Sequence, residues 1–349
     1  MGKRIRYYDL LRILCTAFII YYHMMIELVN EDIYPSEQIS PLFSTPNISI
    51  ATLGVAVFFI LSGAGLTLSH NNEFKPAAFY LKRFQTILVP FYVTNVIYYV
   101  IRLLFYGENW FRAILTWRCI YTIAGIDEYL HLNDVPVIST GIGEWFLGVL
   151  VIIYLLYPLF RFLMNKIPYL FFAVVTSIYL IYIFSYDKAM PPVYMTVPAK
   201  AYEFIVGMYL AKFFLEFPKK MMLVSIPLCA FLLANQWPLG INNSVIITVC
   251  AFFFTVSVSF LEPYLNKGKC RVLSYLSGIS YYVFLAHHVV IYMLTPIMKP
   301  YITNKFVVLL LFAIELAVTF VSALAVKALT GLIIKSVRKI TGKKDLSAI

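Results

Sequence analysis

Charged residues are scarce in this chain: Asp, Glu, Lys and Arg make up 13% of its 349 residues, whereas 61% are hydrophobic. Soluble domains carry about 25% charged residues, so the composition excludes a soluble protein with a large core. The sequence also lacks a P-loop, a dinucleotide fingerprint, an HExxH helix and a GxSxG elbow. We therefore expect an all-α polytopic membrane protein, a bundle of transmembrane helices.

The cysteines do not indicate a metal site or a redox site. The five cysteines are isolated in the sequence, and without a CxxC pair or a Cys/His cluster they indicate neither a zinc site nor a redox pair. We expect no bound metal and no resident cofactor.

Ten apolar segments approach the length of about 20 residues that a helix needs to cross a bilayer. They are 8–28, 48–69, 84–105, 145–164, 168–186, 198–215, 221–237, 242–262, 273–295 and 305–333. The apolar stretch 110–125 is shorter and contains two arginines, so we expect it to lie at the interface or to form a re-entrant helix. The remaining loops are short, which predicts one integral membrane domain over 1–349 without an appended soluble domain.

The distribution of Lys and Arg predicts the orientation of these spans. If both termini are cytoplasmic, the cytoplasmic segments hold 20 of the 28 Lys and Arg residues, in agreement with the positive-inside rule. The net charge of +11 then follows from topology, and no nucleic-acid partner is expected. The predicted location is the cell membrane (plasma or inner membrane), crossed many times, with membrane lipids as partners.

Arg12 and His23 lie eleven residues apart in the first apolar segment. On a helix this spacing brings the two side chains to within roughly 20° of one another, with a rise of about 16 Å. A cation and an imidazole inside an apolar helix are expensive in lipid, so this stripe is expected to face a polar cavity. Two purely structural interpretations stay open: Arg12 as a snorkelling arginine, and His23 as a hydrogen-bonded structural histidine.

The predicted orientation also gives each polar residue a depth. His23, Glu203, Glu144 and His287 fall toward the outer face, whereas Asp9, Arg12, Lys82 and Arg83 fall toward the inner face. Such a distribution suits an anionic cytoplasmic donor on one side and a general base on the other.

Several motifs resemble one known family. The first helix carries Asp-x-x-Arg-x(10)-His as Asp9, Arg12 and His23. Further pieces follow in order: GVAVFFILSG at 54–63, YLKRFQTILVPFY at 80–92, GEWFLGVLVIIYLLYPLF at 143–160, YEFIVGMYLA at 202–211 and SYYVFLAHHVV at 280–290. Together they resemble the acyltransferase type 3 family, integral membrane enzymes that O-acylate glycans and other acceptors. The second arginine that the family often has in its third helix is replaced here by Thr86.

The resemblance implies a donor, acyl-CoA and usually acetyl-CoA, that approaches from the cytoplasm. It also implies an acceptor hydroxyl on an extracytoplasmic or lipid-linked glycan. His23 would be the general base or an acyl relay, and Glu203 is the second catalytic candidate. The donor-binding candidates are Arg12, Lys82 and Arg83, and the candidates for substrate binding are Asp9, Glu144, Trp145 and His287.

Two other classes of function fit the same composition. A transporter or exporter of a glycan or small metabolite would also place charges inside membrane helices, although no paired repeat is visible. A non-catalytic sensory or scaffold membrane domain is the third class. The motifs leave the acyl group and the acceptor open.

Overall fold

Long apolar runs favour helices, because a helix satisfies every backbone hydrogen bond within its own segment. In a computed structural model the described residues are 4–33, 49–69, 74–107, 116–137, 142, 144–187, 191–214, 217–234, 243–267 and 271–341. The α-helices among them are α1 Arg6–Asn30, α2 Ile50–Ser69, α3 Pro76–Arg83, α4 Val89–Tyr106, α5 Cys119–Ala124, α6 Asp127–His131, α7 Glu144–Lys166, α8 Pro168–Ser185, α9 Val197–Phe213, α10 Lys219–Ala234, α11 Asn243–Ser259, α12 Glu262–Lys267, α13 Arg271–Met298 and α14 Lys305–Thr341.

Within this described part, seven helical segments are long and apolar enough to cross a membrane. They are α1, α2, the continuous helical segment Pro76–Phe105, α7, α8, α13 and α14. The other three predicted spans correspond to α9, α10 and α11, which have 17, 16 and 17 residues and are shorter than the usual crossing length of about 20. The all-helical class is thus confirmed for the described residues, while ten spans and cytoplasmic termini stay predictions.

The stretch 110–125 forms only short helices where it is described. α5 has six residues and rises about 9 Å, which is far less than the hydrocarbon core of about 30 Å. Its glycine C-cap, Gly125, has a φ of 70°, a conformation that ends helices. Residues 108–115 lie outside the described part of the chain, so these statements concern residues 116–125.

The chain divides into two compact units, and each is described by itself. The first comprises residues 1–72 and 155–280, and the second comprises 73–154 and 281–349. The core of the first unit is formed by apolar side chains of α1, α2, α9, α10 and α11.

Glycines allow the backbones of α2 and α9 to touch in the first unit. A Cβ atom on Gly63 would lie 1.9 Å from the carbonyl oxygen of Phe204, and one on Gly207 would lie 1.9 Å from that of Ile60. Gly54 similarly faces the carbonyl oxygen of Cys15 on α1, at 3.2 Å from its hypothetical Cβ. Gly54, Gly63 and Gly207 therefore permit close approach of α1, α2 and α9.

The second unit contains α3 to α6, the start of α7, the rest of α13 and α14. A π-helical turn, Phe84–Leu88, joins α3 to α4, and it ends two residues before Pro90, whose missing N–H interrupts the regular bonding ladder. The Tyr281 hydroxyl donates to the carbonyl oxygen of Ile87 in this turn at 2.9 Å. On the opposite part of α13, Thr295 donates to the buried carboxylate of Glu315 at 2.8 Å, which ties α13 to α14.

Candidate active site

The carboxylate of Asp9 is the centre of a charged cluster at the start of α1. Asp9 is only 1% exposed, and Arg4 reaches it through Nε at 2.7 Å and Nη2 at 3.0 Å. Arg12 lies one turn further along, with Nη1 at 3.6 Å from Oδ1, and Ser277 donates to the same oxygen at 2.8 Å. The hydrogen bonds that Arg4 donates to Asp9 raise the pKa of Arg4 above its usual value. Asp9 therefore holds two guanidinium groups in place.

The first turn of α1 is fixed by a carboxylate from elsewhere in the chain. Glu262 accepts the backbone N–H of Arg6 at 3.1 Å and that of Tyr7 at 2.7 Å. These are two of the donors that a helix N-terminus leaves unsatisfied, and the residue at the N-cap, Ile5, provides no side-chain bond. Glu262 thus sets the position of the helix that carries Asp9 and Arg12.

Arg12 packs against a glycine of α2. A Cβ atom on Gly65 would lie 3.6 Å from Nη2 of Arg12, which is an ordinary contact distance. The Arg12 side chain is 32% exposed. It is therefore restrained by Asp9 and remains partly accessible to solvent.

His23 lies eleven residues further along the same continuous helix and is half-buried. Its ring meets the edge of Tyr22 at 5.3 Å between centroids. Tyr194 interacts with Tyr22 and hydrogen-bonds Thr52, and burial raises the pKa of the Tyr194 phenol. The imidazole thus contacts the ring of Tyr22 and remains partly accessible.

Glu203 forms a buried ion pair. Lys200 Nζ donates to its two carboxylate oxygens at 2.9 and 3.0 Å, and both residues are 0% exposed. Thr248 adds a bond to Oε1 at 3.4 Å, and Lys200 Nζ lies 5.9 Å from the ring centre of Phe59. These contacts are those of a group that joins α2, α9 and α11, so a catalytic role for Glu203 stays a prediction that the geometry does not favour.

The remaining candidates lie in the second unit. Lys82 is exposed at the end of α3. Arg83 is half-buried between two rings, with its guanidinium carbon 5.8 Å from the centre of Phe79 and 5.7 Å from that of Tyr154. The donor-binding role of Lys82 and Arg83 stays a prediction.

Trp145 is half-buried near the start of α7. Glu144 is the first residue of that helix, and its side chain lies outside the described part. His287 is 0% exposed, its Nδ1 is hydrogen-bonded to the Phe284 carbonyl oxygen, and its ring centre is 4.5 Å from that of His288.

Three partners of these candidates were not predicted from the sequence. Lys200 is one of them, although opposite charges at positions 200 and 203 are spaced to meet on one helix face. Arg4 is the second, and among the described residues it is the nearest cation to Asp9. Ser277 is 268 residues from Asp9 in sequence, and no local signal indicated the contact.

One comparison with known proteins identifies a relationship. The model of an acyltransferase domain family matches residues 5–330, a range that includes all of the candidate residues above. No curated protein and no solved structure matches the chain significantly.

Proposed function

The chain belongs to the acyltransferase 3 family, and we propose that it is an O-acyltransferase acting from cytoplasmic acyl-CoA onto a glycan hydroxyl. Family membership and the apolar helices make it an integral membrane acyltransferase. The finer proposal is that the acyl group is acetyl, that the acceptor is an extracytoplasmic or lipid-linked glycan, and that the enzyme resides in the cell membrane.

The proposal rests on two residues that lie on the same helix, α1. This one helix holds Arg12, restrained by Asp9, and the half-buried His23. The two residues are about 16 Å apart along the axis, a distance that an extended pantetheine arm covers. One rigid element could then hold the donor at one end and present a base at the other.

In the proposed reaction, one ring nitrogen of His23 accepts the proton of the acceptor hydroxyl as the oxygen attacks the thioester carbon. The carbon–sulfur bond then breaks, an ester forms, and the imidazolium returns the proton to the CoA thiolate. A partly accessible imidazole suits this role, because it can accept a proton in one step and donate it in the next.

Arg12 and Arg4 are proposed to receive the phosphates of the donor. Guanidinium groups match phosphate oxygens geometrically and remain charged at all relevant pH values. Asp9 is 1% exposed, and we propose that it positions these two arginines beside the substrate. Lys82 and Arg83 are kept as further donor contacts, and Glu144, Trp145 and His287 as acceptor contacts.

The test is acyl transfer by the purified full-length protein in vesicles, with radiolabelled acetyl-CoA and a glycan acceptor extracted from the source membrane. His23→Ala is expected to lower the rate by about 10²–10⁴-fold, the range for loss of a general base. His131→Ala is the matched control, because His131 is an exposed histidine of α6, and its rate should equal that of the wild type. Full activity of a well-folded His23→Ala protein would refute the assignment.

A further inference from the structure

Helix α14 is longer than a membrane crossing requires. The helix has 37 residues and rises about 55 Å, against a hydrocarbon core of about 30 Å. Even a tilt of about 40°, the upper end of the observed range, leaves a vertical span of about 42 Å. At least one end of α14 therefore lies in or beyond the head-group region.

The C-terminal end of this helix has two different exposed faces. At 100° per residue, Ile333, Val337 and Ile340 lie within about 60° of one another, and they are 44%, 52% and 84% exposed. Lys335 and Lys339 lie on the other side of the helix and are also exposed. The segment 333–340 is thus amphipathic, with Lys335 and Lys339 opposite Ile333, Val337 and Ile340.

The segment is attached to the rest of the second unit. Arg338 Nη2 donates to Gln85 Oε1 in the π-helical turn at 3.2 Å. This contact attaches the C-terminal end of α14 to the π-helical turn Phe84–Leu88 and so restrains the rotation of the helix end. The segment also lies beyond residue 330, where the match to the acyltransferase family ends.

We propose that segment 333–340 binds anionic phospholipids. Lys335 and Lys339 pair with head-group phosphates, and the aliphatic face contacts the adjoining acyl chains. A soluble phosphate would satisfy the lysines but would leave the exposed aliphatic face in water, so the combination favours a lipid. The proposal does not depend on the acyl transfer reaction.

The test is native mass spectrometry of the purified full-length protein in neutral detergent, titrated with phosphatidylglycerol or with phosphatidylcholine of the same chain length. Each cation near an anionic membrane surface strengthens binding about five-fold. The wild type is therefore expected to prefer phosphatidylglycerol by about 25-fold, and the double variant Lys335→Gln, Lys339→Gln should lose most of that preference.

Two further variants serve as controls. Lys299→Gln with Lys305→Gln removes two exposed charges near the other end of α14 and should keep the preference. Lys335→Arg with Lys339→Arg preserves charge and should also keep it, which separates charge from folding. An unchanged lipid preference in the Lys335→Gln, Lys339→Gln variant would overturn the proposal. Equal competition by glycerol 3-phosphate at the same concentration would overturn it too, because the site would then accept a free phosphate.

Discussion

Two charged clusters of the first unit differ in their access to solvent. The Lys200–Glu203 pair is closed, since both side chains are buried and the carboxylate receives two bonds from one ammonium group. The Asp9 cluster is open on one side, because Arg4 and Arg12 have side chains that are 53% and 32% exposed. Solvent reaches the cations of the open cluster, whereas the closed pair lies in the interior and links α9 to α11 through Thr248.

The difference also predicts opposite consequences of mutation. Removing one partner of a buried pair leaves a charge without compensation in an apolar interior. A partly exposed cation that loses its partner is instead hydrated by water. The closed pair should therefore control stability, and the open cluster should control donor binding.

Lys200→Met should have the largest effect on stability. It leaves the Glu203 carboxylate buried without its main donor, and the expected loss is about 3–5 kcal/mol in the free energy of unfolding. The measurement is thermal unfolding of the full-length protein in mild detergent.

The double variant Lys200→Met, Glu203→Met is the control for that experiment. It removes both charges and retains similar volume, so it should recover most of the lost stability. A double variant as unstable as Lys200→Met would show that packing, and not the unpaired carboxylate, causes the loss.

Gly207→Ala should be the next most damaging change near the closed pair. Its added methyl group would lie 1.9 Å from the Ile60 carbonyl oxygen, so α2 and α9 must move apart at a cost of about 1–3 kcal/mol. Gly278→Ala is the matched control, because a Cβ atom there meets nothing within 4 Å. Equal unfolding midpoints for the two variants would contradict the close packing of α2 and α9.

The two clusters also show how far sequence alone reaches. Helix positions follow from apolar runs, and the fixed spacing of Asp9, Arg12 and His23 on α1 follows from helical periodicity. The spacing of Lys200 and Glu203 predicts an ion pair on one helix face, although only Glu203 was predicted to be a site residue. The contacts of Glu262 and Ser277 with α1 depend on chain folding over more than 250 residues, and no local pattern contains that information.

Asp9→Asn should affect the open cluster without unfolding the protein. The amide keeps the volume of the side chain but removes the charge that orients Arg4 and Arg12. If these arginines bind donor phosphates, the KM for acyl-CoA should rise about ten-fold, which corresponds to about 1.4 kcal/mol, with a smaller change in kcat. Ser277→Ala, which removes one neutral bond to Asp9, should produce a smaller rise in KM. An unchanged KM in Asp9→Asn would separate the cluster from donor binding.

Arg4→Gln should have the smallest effect on the free energy of unfolding. The dependence of this effect on salt compares the open cluster directly with the closed pair. Because the Arg4 side chain is 53% exposed, its pairing with Asp9 should contribute no more than about 1 kcal/mol to stability. Raising the ionic strength to about 1 M shortens the screening length to about 3 Å, so the difference in unfolding midpoint between Arg4→Gln and the wild type should shrink. The difference for Lys200→Met should persist in the same salt, since ions do not screen a pair that solvent does not reach. Equal salt sensitivity of both variants would mean that solvent reaches both clusters alike.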